Sequence, residues 1–452
     1  MSKGSLKIQV FEGSTYIPLE NAQITITQVK QAGTRKTTES IFTDSSGLTK
    51  EIELDAPKKD YSMELSSNLP YSLCDIVVEV PGYRKLYING CQIFPDTTSI
   101  QECNLYPISE KRSDEDIVNT LPNTLIGNYE AKIPESSTPE ANTSLSKQKQ
   151  DFYFFITTNN QVIPKSIAVH LGKLNNLSAQ NYGVDYKDYI KNVAACEIFP
   201  TWPTEAIKAN VYAIISFTLN RVFTEWYLGK GFKNFNITNS TALDQSFNKG
   251  RGTFVNVNQI VDEIFSTYIK KPNYEFPLLA QFCDGIKIKA KPGIMSQWGS
   301  KALADKGMKA LEILKYYYGS DKSLQTIERM EDIKESYPGS PLQVNSKGEP
   351  VKVVQKILNV VSKNYPLINK VPEDGIFSNE TKKSVETFQG IFSLRKTGIV
   401  DYATWYKLSD VYVAIVNKNS RNYRLIKRTL IPPFINRCIY DVPKVTYFDD
   451  EE

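Results

Sequence analysis

The sequence predicts a multidomain protein with an all-β N-terminal region, a central α+β, mostly helical domain and a small helical unit at the C-terminus. Three observations predict it. Residues 5 to 107 alternate apolar and polar side chains, punctuated by Gly, Pro, Asn and Asp, with no helical period. Residues 109 to 150 turn to Ser, Thr, Pro, Asn, Glu and Lys with few large apolar residues, the composition of a linker. Apolar positions then recur at helical spacing, first within residues 151 to 325 and again within 340 to 416. A length of 452 residues allows roughly three domains, each able to bury its own core.

The strands are read from runs such as "LKIQVFEG", "AQITITQV", "DIVVEVPGYRKLYING" and "SIQECNLYPI" within residues 1 to 108. The 109 to 150 stretch reads either as a passive tether or as a protease-sensitive joint, since exposed polar segments are where chains are nicked. In the middle domain Tyr186, Tyr189, Ile190 and Val193 fall at i, i+3, i+4 and i+7, one helical stripe. Ile207, Val211, Ile214, Ile215, Thr218, Leu219 and Val222 form another, with Pro203 near its first position. Residues 340 to 416 carry a weak internal echo: "VKVVQKILNVV" and "TKKSVETFQGIF" both place a Gln among helically spaced apolar residues. Residues 417 to 452 form a tail, basic then acidic, to which no role is assigned.

Composition removes several function classes. A formal charge of +4, with no basic run or stripe, gives no nucleic-acid footprint. No segment reaches the ~18 apolar residues of a membrane span, and the first residues carry no continuous apolar signal core, so the expectation is a protein kept on the cytosolic side of a membrane. Six scattered cysteines without C-x-x-C spacing indicate neither a disulfide framework nor a zinc ribbon. The one histidine, His170, lies in the alternating stretch "SIAVHLG" and reads as a structural imidazole at a strand end. Catalysis by Ser-His-Asp, Cys-His or His-rich zinc sites is thereby weakened, and no cofactor or metal is expected.

Glu197, in "AACEIFPTWP", is an acid set among apolar and aromatic residues between two predicted helices. Such a group is either a buried structural carboxylate, satisfied by Lys191 or a backbone amide, or a proton donor. Phe199 and Trp202 would desolvate it and the preceding helix dipole would disfavour its anion, so a raised pKa is expected. Asp244 and Gln245 lie in a Thr- and Asn-rich loop suited to hydrogen-bonding N-acetyl and hydroxyl groups. Ser296, Gln297 and Trp298 offer a polar pair beside an aromatic face, and Tyr212 is either a cleft or a core residue.

Four resemblances follow from these motifs. "PLENAQITITQV" with "FTDSSGLTKEIEL" and "YSLCDIVVEVPGYRKLYINGCQIF" resembles the transthyretin-like or carboxypeptidase-regulatory-like β-sandwich, which is a scaffold. Asp374-Gly375-x-Phe377, Thr381, Val385, Phe388-Gln389, Gly398, Asp401 and Thr404-Trp405 with Leu408 resemble the three-helix peptidoglycan-binding domain of bacterial wall hydrolases, with Asp374, Gly375, Phe388, Gln389 and Trp405 as its candidate binding-module residues. "DYIKNVAACEIFPTWPTEAIKANVYAIISFTLN", "STALDQSFNKG", "FCDG" and "PGIMSQWGSKALADKGMKALEILKYYY" resemble, in order, the stage II sporulation protein D family of lytic transglycosylases, with Phe247 where the family has Tyr. The full arrangement is similar to the clostridial spore-cortex-lytic enzymes of the SleC type.

The resemblance implies that Glu197 is the catalytic acid of an enzyme that cleaves the MurNAc–GlcNAc bond of spore cortex peptidoglycan during germination. It also implies an N-terminal pro-region removed by a subtilisin-like germination protease, and synthesis in the mother cell without a signal peptide. Three alternatives stay open: a muramidase-type hydrolase using Glu197 with Asp244, a non-enzymatic spore-coat or wall-binding protein, and an amidase or peptidase, the last weakened by the lone His.

Overall fold

The computed structural model describes residues 2–29, 35–37, 40–110, 116–127, 129–130, 161–286, 292–331 and 337–419. The N-terminal region is built of two sheets. In one, Ser2–Glu12 lies between Ile52–Ala56, antiparallel to it, and Thr98–Leu105, parallel to it. In the other, Gln23–Val29, Ser72–Glu79 and Leu86–Ile93 run antiparallel in that order. Alternate side chains of both, among them Leu6, Ile8, Val10, Leu54 and Cys103 from the first and Ile24, Ile76, Val78 and Ile88 from the second, meet in one buried cluster. The period-2 pattern thus becomes two apolar inner faces packed on each other.

Both sheets are completed by chain that the sequence assigned elsewhere. Thr253–Phe254, from the central domain, pairs antiparallel with Ser99 and Ile100 and caps the edge of the first sheet. Ile117–Asn119 pairs parallel with Tyr87, Ile88 and Asn89 at the edge of the second. The expected linker at 109 to 150 is therefore corrected for its first part: residues 117–127 belong to the folded body, held by this ladder and by the contacts described below. Residues 131–150, like the tail from 420 onward, lie outside the described residues.

The central domain combines a three-stranded sheet, with Ser166–His170 between Asn181–Asp185 and Ile237–Thr238, and a cluster of helices. Tyr186–Glu197 begins at Asp185, whose carboxylate accepts from the Lys187 amide at 3.0 Å, and buries the predicted stripe of Tyr186, Tyr189, Ile190 and Val193. It stops before two prolines, Pro200 and Pro203, which cannot continue its ladder. Thr204–Phe223 then runs through the core with apolar residues on all sides, as befits a helix enclosed by others. The domain extends past the expected boundary at 325, because Ile163 bridges Met330 and Thr267–Lys270 pairs with Ser323–Thr326. His170 is buried, stacked on Phe235 and bonded through both ring nitrogens to Asn181 and the Lys173 carbonyl. It is a structural imidazole.

Three helices, Glu349–Val361, Asn379–Ile391 and Tyr402–Asn419, form the C-terminal unit. It is docked on both other regions. Lys187 of the central domain pairs with Asp410. Tyr402 packs on Phe265, the Gln259 side chain donates to the Ser393 carbonyl, and Tyr365 donates to the Tyr16 carbonyl.

Asp185 is half-buried at this junction, and its carboxyl is pushed up to about 7 by burial and then by Asp188 and Asp410. An unfolded Asp titrates near ~4, so between about pH 4 and about pH 7 the folded chain holds a proton that the unfolded chain releases. This group therefore makes the fold less stable as pH rises through that window. Asp185→Asn keeps the capping oxygen and removes the titration; we expect its melting temperature to fall less than that of the wild type between pH 4.5 and 7.5.

Candidate functional site

Glu197 is the last residue of its helix and is 5% exposed. Oε1 accepts from the Ser246 amide at 2.8 Å, and Oε2 accepts from the Thr124 hydroxyl at 2.8 Å and the Gln297 side chain at 3.3 Å. Lys191, the candidate structural partner, is committed instead to Asp262. Beside the carboxylate stands an aromatic wall: Phe199 against Trp202 at 5.7 Å and Trp202 against Trp298 at 5.1 Å between ring centres. The Trp298 indole N–H has no hydrogen-bond partner among the described residues.

Gln297 is thus brought to Glu197, as the sequence suggested, and also donates to its carbonyl at 3.0 Å. Ser296 has a different task. It caps the helix Gln297–Asp305 by accepting from the Gly299 amide at 2.9 Å. Tyr212 is half-buried, its hydroxyl pushed up in pKa by burial and by Glu263 and Glu205, and it is not among the partners of Glu197.

Asp244 and Gln245 are corrected from sugar-binding loop residues to core residues. Asp244 is wholly enclosed and paired with Arg221 at 2.8 Å, both side chains having 0% exposure. Its second oxygen accepts from Tyr227 and from the amide and hydroxyl of Thr238. Gln245 is also fully buried, accepting from Thr218 at 3.0 Å and Tyr189 at 3.4 Å and donating to the Ile214 carbonyl. The polar composition of this loop serves a buried ion pair, and only the Ser246 amide reaches Glu197. Phe247 stacks on Tyr189 at 5.5 Å with 17° between planes, which a hydroxyl is not needed for.

The residues that sequence reasoning missed lie in the segment taken as linker. Asn123 is fully buried, its side chain donating to the carbonyls of Ala195 and Ile198, both at 3.2 Å. The Thr124 amide donates to the Cys196 carbonyl at 2.9 Å. Upstream, the Asn248 side chain accepts from the Leu121 amide and donates to the Asn119 carbonyl. The motif "LPNTLIG" has the look of a turn, and Asn123 does close one, accepting from the amides of Ile126 and Gly127. Nothing in its spacing announces that the turn is pressed onto Glu197.

In the C-terminal unit the internal echo has a physical meaning. Gln355 accepts from the Gly375 amide at 2.8 Å and donates to the Ile376 carbonyl at 3.0 Å and to Asp374 at 2.9 Å. Gln389 accepts from the amides of Thr397 and Gly398 and donates to the Ile399 carbonyl and to Thr404. Each buried glutamine therefore holds one Gly-Ile turn, whose glycine has φ of +73° or +69°. The Ile376 amide and Gln355 hold the exposed Asp374 carboxyl below the usual carboxylate range. Gln389, Phe388 and Trp405 are 0%, 0% and 3% exposed, so these candidate ligand contacts build the fold instead.

Residues 347–408 match the family model described as a putative peptidoglycan binding domain. The C-terminal unit is a peptidoglycan-binding domain. It follows a β-rich N-terminal region and a mixed, mostly helical central region in one multidomain chain. No curated protein matches the chain. Among solved structures it is similar to the Bacillus anthracis TIE protein, at 17% identity and TM-score 0.16 over 24% of this chain and 17% of that one. It is also similar to GBS52, the minor pilin of Streptococcus agalactiae, at 16% identity and TM-score 0.15 over 25% of this chain and 48% of that one. The chain spans less than half the length of either of these proteins. No described helix is long and apolar enough to cross a membrane, and no described group of three or more His, Cys, Asp or Glu is arranged to hold a metal.

Two substitutions test these assignments. Asp244→Ala strands the buried Arg221 charge and should lower stability by about 3–5 kcal/mol in denaturant titration. Gln389→Ala leaves the Thr397 and Gly398 amides without an acceptor and should lower the stability of the C-terminal domain by about 2–4 kcal/mol.

Proposed function

We propose that this chain is a zymogen of a peptidoglycan lytic transglycosylase that acts on spore cortex in germination, with Glu197 as its single acid and base. Glu197 protonates the glycosidic oxygen that leaves C1 of MurNAc. The resulting carboxylate takes the proton from the sugar's own C6 hydroxyl, whose oxygen closes on C1 to give a 1,6-anhydro end. No water is consumed, and one carboxyl group returns to its starting state. A hydrolytic glycosidase needs a second carboxyl group to activate water or to attack.

The observation that carries this reading is the carboxylate of Glu197 standing on a helix end beside Gln297 and the Trp202–Trp298 wall, while Asp244, the candidate second acid, is consumed by Arg221, Tyr227 and Thr238. The peptidoglycan-binding domain delivers such a site to its polymer. Gln297 orients the acid, and the half-buried Trp298 ring offers a stacking surface to a sugar ring. Activation is by a subtilisin-like protease that cuts after residue 130, within the remainder of the linker up to about residue 152, so that the segment bearing Thr124 leaves with the pro-region. The protein is made in the mother cell and deposited at the spore cortex.

Glu197→Gln keeps the shape of the side chain and removes the acid. After cutting, the wild type should release 1,6-anhydro-ended fragments from spore peptidoglycan, read by mass spectrometry, and the variant about a hundredfold less or below. Reducing ends without anhydro products would replace this reading by a hydrolase. Equal lysis by the variant would leave a structural wall-binding protein.

A further inference from the structure

Residues 119–127 lie across the end of the helix Tyr186–Glu197 and the loop after Ser246. The surface they cover presents acceptors: the carbonyls of Ala195, Cys196 and Ile198 and the carboxylate of Glu197. The segment meets them with an amide side chain from Asn123, and with a backbone amide and a hydroxyl from Thr124. At the other end the Asn248 side chain makes a two-way amide pair with the backbone of residues 119 and 121.

We propose that residues 119–127 are a built-in substrate mimic, covering the glycan site of the uncut chain with the same functional groups that an N-acetylated amino-sugar strand presents. An acetamido group is a planar amide with an N–H donor and a carbonyl acceptor; the Asn123 side chain is such an amide, and at Asn248 two successive peptide groups supply the same pair, the Leu121 N–H donating and the Asn119 carbonyl accepting. The Thr124 hydroxyl occupies the position on Oε2 where a sugar oxygen must lie to exchange a proton with Glu197, 2.8 Å away. The mimic is held in place by its own turn, with the Gly127 amide on the Asn123 carbonyl and the Tyr129 hydroxyl on the Pro122 carbonyl. It is anchored to the N-terminal sheets by the Ile117–Asn119 ladder and by Gln92, which donates to the Leu121 carbonyl and accepts from Arg251. Removal of the pro-region therefore withdraws the mimic as well.

This inference rests on the reading of Glu197 as a glycan-cleaving acid, and the two can fail separately. The probe is the β-1,4-linked tetramer of N-acetylglucosamine, its affinity measured by calorimetry for the full chain, for the full chain carrying Asn123→Ala with Thr124→Ala, and for wild type cut at a protease site engineered within residues 138–146. Iodoacetamide labelling of Cys196, a buried residue whose carbonyl accepts from the Thr124 amide, reports by mass spectrometry whether the site is open. The double variant and the cut protein should each bind the tetramer at least tenfold more tightly than the intact wild type. Cys196 should label faster in both, and the tetramer should protect it. A free peptide of residues 119–127 should compete with the tetramer for the cut protein, and the same peptide with both alanines should compete at least tenfold less well.

Open sites, shown by Cys196 labelling, that bind the tetramer no better than the intact chain would overturn the proposal. So would failure of both the double variant and the free peptide to alter tetramer binding. Cut protein that cleaves peptidoglycan without competition by the peptide would sink the mimic and leave the enzyme. Tetramer binding that the peptide displaces, with no cleavage of spore peptidoglycan, would sink the enzyme and leave the mimic.

Discussion

A helix that ends inside a protein leaves its last carbonyls without helical donors, and the rest of this structure is arranged around that debt at residues 195–198. Four successive carbonyls are satisfied from outside the helix. Asn123 serves Ala195 and Ile198, the Thr124 amide serves Cys196, and Gln297 serves Glu197. The donors come from two places far apart in sequence, one on each side of the acid. Gln297 belongs to the same domain as the carbonyl it serves, whereas Asn123 and Thr124 belong to a segment tied to the N-terminal sheets. The environment of Glu197 is thus shared between a permanent part and a part that can leave.

The same arrangement explains why the N-terminal region is so closely joined to the rest. A strand of the central domain completes its first sheet, Phe94 packs on Phe199 and Phe254, and the Trp202 indole donates to the Ser62 carbonyl. These contacts hold residues 119–127 in register over Glu197. They also cover Phe199, through Phe94, and Trp202, through Ser62, so removing that region changes the surface on which a substrate would lie.

Buried polar side chains bonded to loop chain recur as the means of fixing irregular chain. Arg221 with Asp244 pins the loop that carries the Ser246 amide, and Gln355 and Gln389 each pin a glycine turn of the peptidoglycan-binding domain. In each case one long side chain replaces the backbone ladder that a loop lacks, and in each case a missing partner would leave a costly unsatisfied group. This is why residues that read as ligand contacts in the sequence, Asp244, Gln245 and Gln389, turn out to be enclosed. Polarity in a loop signals a need for hydrogen bonds, and the loop itself is the first claimant.

Local periodicity was enough to place the strands of residues 5–107, the stripes of Tyr186–Glu197 and Thr204–Phe223, the echo in the C-terminal domain and the position of Glu197 at a helix end, because these depend on neighbours three or four residues away. Its glycine turns and buried histidine were legible for the same reason. What only the tertiary structure decided was which polar residues meet. The pairing of Arg221 with Asp244, the diversion of Lys191 to Asp262 and the placing of Thr124 on Glu197 join positions 23, 71 and 73 residues apart, and no spacing rule spans such distances. The chain from 117 to 127 shows the difference most clearly. Its composition is that of a linker, and packing against an acid and three open carbonyls makes it part of the site.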